Sequence, residues 1–172
     1  MRIIAGSKRG HRIDAPKGDK TRPTSDFVRE CVFNLIGPVD GASVLDLYAG
    51  SGALGIEALS RGAERAVFVD ADRAACRAVD ANLEKCKLQG IVLCQDVHRA
   101  LGADRGGYDL ILVDPPYDQT DHTRLAPQIA RLLAPDGLFV LQTPASLEPT
   151  LEGLTIRTSR KYGSARLTLF EL

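Results

Sequence analysis

The chain has 172 residues, 44 % hydrophobic and 26 % charged, with 22 basic and 22 acidic side chains that cancel. That suits one globular domain with a sizeable core, and no apolar run approaches the ~20 residues of a membrane-spanning helix. Four scattered cysteines, read as small buried apolar residues, and three histidines without ligand spacing predict neither a disulfide scaffold nor a metal site.

Charge is spread unevenly. Residues 1 to 22 carry Arg2, Lys8, Arg9, Arg12, Lys17, Lys20 and Arg22 against Asp14 and Asp19, so this stretch is +5 and the remainder −5. A basic arm on an acidic body is the asymmetry of a chain that touches a polyanion at one end. Within the arm, "RIIAGSK" and "GHRIDAP" flank Gly6 to Gly10 and read as a small β-hairpin. The opening "MRIIAGSKRG" lacks the long apolar centre of a signal peptide, which makes the cytoplasm the expected compartment.

After "GDKTRP" the period becomes helical. Val28, Cys31, Val32, Leu35 and Ile36 recur on one face, with Thr24, Ser25 or Asp26 as N-cap and Gly37-Pro38 as the stop. From residue 43 strands and helices alternate. "SVLDLY" is a strand, residues 53 to 61 a helix closed by Gly62, and "RAVFVD" a second strand. Asp72 caps a helix whose Cys76, Val79, Leu83 and Cys86 share a face. "IVLCQD" and "YDLILVD" are the third and fourth strands, then a helix around residues 123 to 133 leads to "GLFVLQT", the fifth. Fully apolar strands alternating with helices predict an α/β fold with a parallel sheet covered on both faces. The tail breaks that rhythm, since "LTIRTSRKY", Gly163-Ser164 and "ARLTLFEL" read as a C-terminal antiparallel hairpin. The expected organisation is a basic hairpin arm over residues 1–22 and one Rossmann-like domain over residues 23–172.

The first strand runs into "DLYAGSGALG", with Gly50, Gly52 and Gly55 in G-x-G-x-x-G register and Asp70 ending the next strand where a ribose-binding acid belongs. Alone, that pattern suggests NAD. Asp46 argues against it, because a pyrophosphate on the helix N-terminus would face that carboxylate. A ligand with no phosphate and a positive charge fits better, and S-adenosylmethionine is one. Asp70 would take its ribose hydroxyls, while Asp96 and the backbone of Val97 would meet the adenine.

"LVDPPYDQT" ends the fourth strand on the same sheet edge. Two prolines stop the strand and stiffen the loop, which explains neither the acid nor the ring beside them. Asp114-Pro115-Pro116-Tyr117 is similar to the [D/N/S]-P-P-[Y/F] signature of class I S-adenosylmethionine-dependent methyltransferases that act on amino nitrogens. The Asp114 carboxylate and the Pro115 carbonyl would each accept one N–H of an exocyclic amine, aiming its lone pair at the methyl group. Tyr117 offers a stacking face to an extruded base. The signature fits adenine N6, cytosine N4, guanine N2 and glutamine side-chain amides alike.

"RIIAGSKRGHRI", "TRPTSDFVRECVFNL", "DLYAGSGALGIEALSRGA" and "VDPPY" together closely resemble the RsmD family of 16S ribosomal RNA guanine-N2 methyltransferases, over almost the whole chain. The resemblance implies methylation of one guanine of 16S ribosomal RNA, in the small ribosomal subunit or a late assembly intermediate, by a monomer that releases S-adenosylhomocysteine. It places the cofactor on Asp46, Tyr48, Gly50, Gly52, Asp70, Asp96 and Val97, and the amine on Asp114, Pro115, Pro116 and Tyr117. RNA contacts are expected from Lys8, Arg9 and Arg12, with Arg22, Thr24 and Arg29 beside the site. The ribose acid is Asp70, shorter than the Glu common among such enzymes. Competing readings are a methyltransferase for DNA adenine or protein glutamine, an NAD oxidoreductase, and a non-catalytic RNA-binding Rossmann protein.

Overall fold

The computed structural model describes residues 1–18, 25–119 and 122–172. Arg22 and Thr24 lie outside them. In chain order the elements are α1 (Asp26–Ile36), β1 (Ser43–Leu47), α2 (Ala53–Ser60), β2 (Arg65–Asp70), α3 (Arg73–Lys85), β3 (Ile91–Cys94) and α4 (Val97–Ala103). They continue with β4 (Tyr108–Val113), α5 (Ala126–Leu132), β5 (Leu133–Pro144), β6 (Thr155–Tyr162) and β7 (Ala165–Glu171).

The strands form one sheet in the order β3-β2-β1-β4-β5-β7-β6. The first five run parallel, and β7 pairs antiparallel with both β5 and β6. This is the expected α/β architecture with its terminal hairpin. Strand order reverses beside β1, so the carboxyl ends of β1 and β4 flank a topological switch point, where open α/β sheets bind ligands.

Side-chain alternation sorts the strands' residues onto two cores. Val44, Phe68, Leu112, Val140 and Leu167 pack with α1, α2 and α3 on one face. Leu45, Leu47, Val67, Ile111 and Phe139 pack with α4 and α5 on the other. Asp46 falls between Leu45 and Leu47 and therefore faces the α1–α3 side.

Local chemistry sets several boundaries. Ser25 is the cap of α1, its hydroxyl accepting from the Val28 N–H at 3.1 Å. Gly37 ends that helix at φ 78°, a left-handed value that favours glycine. Asp72 caps α3 as expected. Strand β3 stops at Cys94, two residues early, because Asp96 turns to cap α4, a helix the periodicity did not reveal. Helix α5 starts only at Ala126, with Pro127 in its first turn, where proline's missing N–H is harmless. Strand β5 begins at Leu133 rather than 137 and passes through Asp136 at φ 63°. Cys94 is exposed, unlike the other three cysteines, so the expectation of four buried thiols fails at this edge strand.

The arm is a hairpin reduced to one antiparallel bridge, Arg2 to Arg12, with the Ile3 N–H donating to the His11 carbonyl at 2.9 Å. Ile3 and Ile13 insert into the α1–α3 core. Glu57, fully buried on α2, accepts from the Ile4 and Ala5 N–H groups at 2.9 and 3.0 Å. Asn82 of α3 accepts from the Asp14 N–H and donates to the carbonyls of Asp14 and Ser51.

Candidate active site

Between β1 and α2 the chain makes a run of left-handed turns. Tyr48 at φ 55° is a non-glycine residue in a costly region, followed by Gly50 at 58° and Gly52 at 79°. The loop is pinned from two sides. The Gly50 N–H donates to Asp70 Oδ2 and the Gly55 N–H to Asp46 Oδ2, both at 2.9 Å. Gly55 is required by space: a Cβ there would lie 2.3 Å from Phe68 Cε1 and 3.1 Å from Asp46 Oδ2. A Cβ at Gly50 would meet nothing within 4 Å, so the loop's outer side opens into the cleft.

That cleft measures about 1530 Å³. It brings together Asp46, Tyr48, Gly50, Asp70, Asp96 and Val97 with Asp114, Pro115, Pro116 and Tyr117. Gly52, the N-cap of α2, lies within the loop but does not line the cleft. Among the described residues, six carboxylates line this space, Asp46, Asp70, Asp72, Asp96, Asp114 and Asp118, against one permanent cation, Arg124.

Asp46 is 1 % exposed. Burial pushes its carboxyl well above the usual range, opposed by the Gly55 hydrogen bond and reinforced by the Asp114 and Asp70 charges. The Tyr48 phenol is pushed up by burial and by Asp96 and Asp70. A pocket holding its acids in this state favours a cation over an anion, since a positive ligand relieves both repulsion and desolvation. Asp70 and Asp96 also serve the fold. Asp70 Oδ1 accepts from the Asp72 N–H at 2.9 Å and Asp96 Oδ1 from the Arg99 N–H at 3.1 Å.

At the end of β4, Asp114 is half-buried, Pro115 buried, and Pro116 and Tyr117 exposed. The Gln119 N–H donates to the Pro116 carbonyl at 2.9 Å, closing a turn that holds the loop at the cleft's edge.

The remaining expected residues are placed differently. Arg29 is fully buried; it pairs with Asp26 at 2.9 Å and Glu57 at 3.7 Å and donates to the Arg2 carbonyl. It is a structural ion-pair residue that fastens α1 to α2 and the arm, and it offers RNA no surface. Lys8, Arg9 and Arg12 do not line the cleft. The Lys8 N–H donates to Ser60 Oγ at the last residue of α2, and the glycine loop lies at that helix's other end, about 12 Å away along its axis.

Sequence reading missed the walls supplied by α1, β5 and the β6–β7 turn: Phe27, Gln142, Tyr162 and Gly163. Gln142 follows Leu141, the partner of Val113 in the β4–β5 ladder, and so continues that register beside Asp114. Its Oε1 is buried and has no hydrogen-bond partner among the described residues. Phe27 did leave a trace, as a large aromatic in the first turn of α1 that falls off the apolar stripe.

The family model described as "Conserved hypothetical protein 95" matches residues 1–171. The chain is 40 % identical over 181 residues to YlbH of Bacillus subtilis (strain 168), provisionally named an rRNA methyltransferase, covering 99 % of this chain and 98 % of that one. It is 40 % identical over 119 residues to ribosomal RNA small subunit methyltransferase D of Escherichia coli (strain K12), covering 68 % of this chain and 60 % of that one. The chain belongs to the RsmD family of class I methyltransferases. Among solved structures, yhhF of Escherichia coli, provisionally named a methyltransferase, superposes with a TM-score of 0.86 at 29 % identity, covering 99 % of this chain and 96 % of that one. With that membership, the acid-lined cleft is the place to look for a methyl donor.

Proposed function

We propose that this chain is an S-adenosylmethionine-dependent methyltransferase that modifies the N2 amine of one guanine of 16S ribosomal RNA, within the small ribosomal subunit or a late assembly intermediate. The observation that carries the reading is that Asp114-Pro115-Pro116-Tyr117 shares one cleft with the acid-pinned glycine loop. A cationic cofactor and an amine acceptor site therefore face each other. The names of the Bacillus and Escherichia relatives support RNA as the substrate.

Bound in the cleft, S-adenosylmethionine supplies an electrophilic methyl group on a sulfonium, and S-adenosylhomocysteine is left. Asp46 serves the cofactor's cationic amino-acid half, Asp70 its ribose, and Asp96 with the Val97 N–H its adenine. Tyr48, Gly50 and Gly52 shape the loop over it. Asp114 and the Pro115 carbonyl accept the two N–H groups of the flipped guanine's amine, and Asp114 also stabilises the positive charge that grows on nitrogen. Pro116 stiffens the loop and Tyr117 stacks on the base. A guanine presents an N1–H beside its N2 amine, and the unpartnered Gln142 Oε1, next to Asp114, suits that donor. Adenine has only a lone pair there.

The test is transfer of tritiated methyl groups to small-subunit particles lacking the modification, with duplex DNA as control and mass spectrometry to map the product. Labelled N2-methylguanine in the particles is the expected result. Labelled DNA with unlabelled particles would overturn the RNA reading.

A further inference from the structure

The cleft, at about 1530 Å³, exceeds the roughly 300–1,000 Å³ of an ordinary small-molecule site. Part of its wall comes from outside the family's two motifs. Phe27 stands 62 % exposed at the start of α1, and Tyr162 closes β6, packed on the α1–α3 core. Their rings meet edge to face, with centroids 6.3 Å apart and planes at 76°. Tyr162 thus braces Phe27 from one side and leaves the Phe27 ring open on the other. Both line the cleft with Tyr117, from different elements.

A cation adjoins this pair. Arg160 is two residues before Tyr162 on the same strand face, whereas Lys161, opposite Arg166 across the β6–β7 ladder, points to the other face of the sheet. Arg160 and Lys161 are exposed, whereas Arg166 is committed to Ala145, Ser159 and Glu148. Basic residues on an edge strand are an ordinary guard against sheet extension. An aromatic platform next to Arg160, open to the cleft, makes the same patch a fit for single-stranded nucleic acid, which takes stacking and cations together. β6 is the sheet's outer strand, so a polymer can leave the cleft along it without obstruction from a further strand.

We infer that Phe27, braced by Tyr162, and Arg160 form a second RNA subsite, which stacks the base next to the flipped one and holds its phosphate. The inference rests on the reading of the substrate as RNA. It also assigns substrate contact at the mouth of the cleft to β6 and α1, whereas the tip of the basic arm lies at the far end of α2.

Two experiments test it on small-subunit particles lacking the modification. Phe27→Ala should raise KM for the particles about tenfold, within the range of one lost stacking contact, with a smaller effect on kcat and none on the cofactor's Kd. Arg160→Glu should weaken particle binding and flatten its salt dependence. Separately, p-benzoylphenylalanine placed at position 27 should photocrosslink to a nucleotide within about three residues of the methylated guanine, the reach of adjacent stacked bases. Crosslinks elsewhere, or a Phe27→Ala enzyme with unaltered KM, would overturn the subsite while leaving the methyltransferase reading intact. A wild-type enzyme that neither binds nor methylates the particles overturns both.

Discussion

Replacing Asp46 by Asn separates the acid's electrostatic duty from its place in the fold. The amide keeps the side chain's shape and an oxygen for the Gly55 N–H, which now donates at 2.9 Å, so the loop should hold. What is lost is the negative charge that a bound cation would draw out of the buried carboxyl. If that charge faces the cofactor's cation, its removal forfeits a charge-assisted hydrogen bond of about 1.5–3 kcal/mol, a rise in Kd of roughly ten- to a hundredfold. The folded state behaves in the opposite sense. Because the Asp46 carboxyl is raised well above its ordinary 3.8, the native chain holds a proton there that the unfolded chain has released. Stability from this group is therefore greatest below pH ~4 and falls as pH climbs to the raised value. At neutral pH the Asn variant should melt no lower than the parent, and the difference should shrink on acidification. Calorimetry with S-adenosylmethionine reads the first effect, and thermal melting between pH 4 and 8 the second. Methylthioadenosine, which lacks the amino-acid half, is the control and should bind both proteins alike. A Kd for S-adenosylmethionine within threefold of the parent's would refute the assignment of Asp46 to the cation.

Three further outcomes are expected. Asp114→Ala should lower kcat by roughly a hundred- to a thousandfold, the cost of losing one aligned transition-state partner, while calorimetry finds cofactor affinity little changed. Charge reversal at Lys8, Arg9 and Arg12 should weaken particle binding and reduce the slope of log K against log salt by about one unit per lost phosphate contact, with kcat at saturation largely kept, as measured by filter binding and turnover. Gly55→Ala forces a methyl group against Phe68 and Asp46, so urea unfolding should show a loss of about 1–3 kcal/mol.

Long-range pairing decided which features could be read ahead of the structure. Strands β1, β2 and β4 are buried on both faces, so their apolar runs and terminal acids stand out, and with them the glycine loop and the Asp114 turn. Helix α4 is seven residues long, too short to establish a period, and its one start signal, Asp96, had another reading as an adenine partner. Arg29 is expected beside the site from the family resemblance alone. Its partner Glu57 is 28 positions away, and no local pattern announces that pair. The same limit hid Phe27 and Tyr162, which meet only because β6 closes the far edge of the sheet over the start of α1.

The joint between arm and body restricts how the arm's contribution can be dissected. Glu57 accepts both arm amides, Arg29 donates to the Arg2 carbonyl, and Asn82 links Asp14 to the glycine loop. Clipping off the first fourteen residues would strip the buried Glu57 of two donors, empty the sites of Ile3 and Ile13, and remove an anchor beside the glycine loop. A truncated enzyme that failed to methylate would thus report a collapsed scaffold as readily as a lost RNA contact. Only surface point changes that leave the backbone in its sockets can tell these apart.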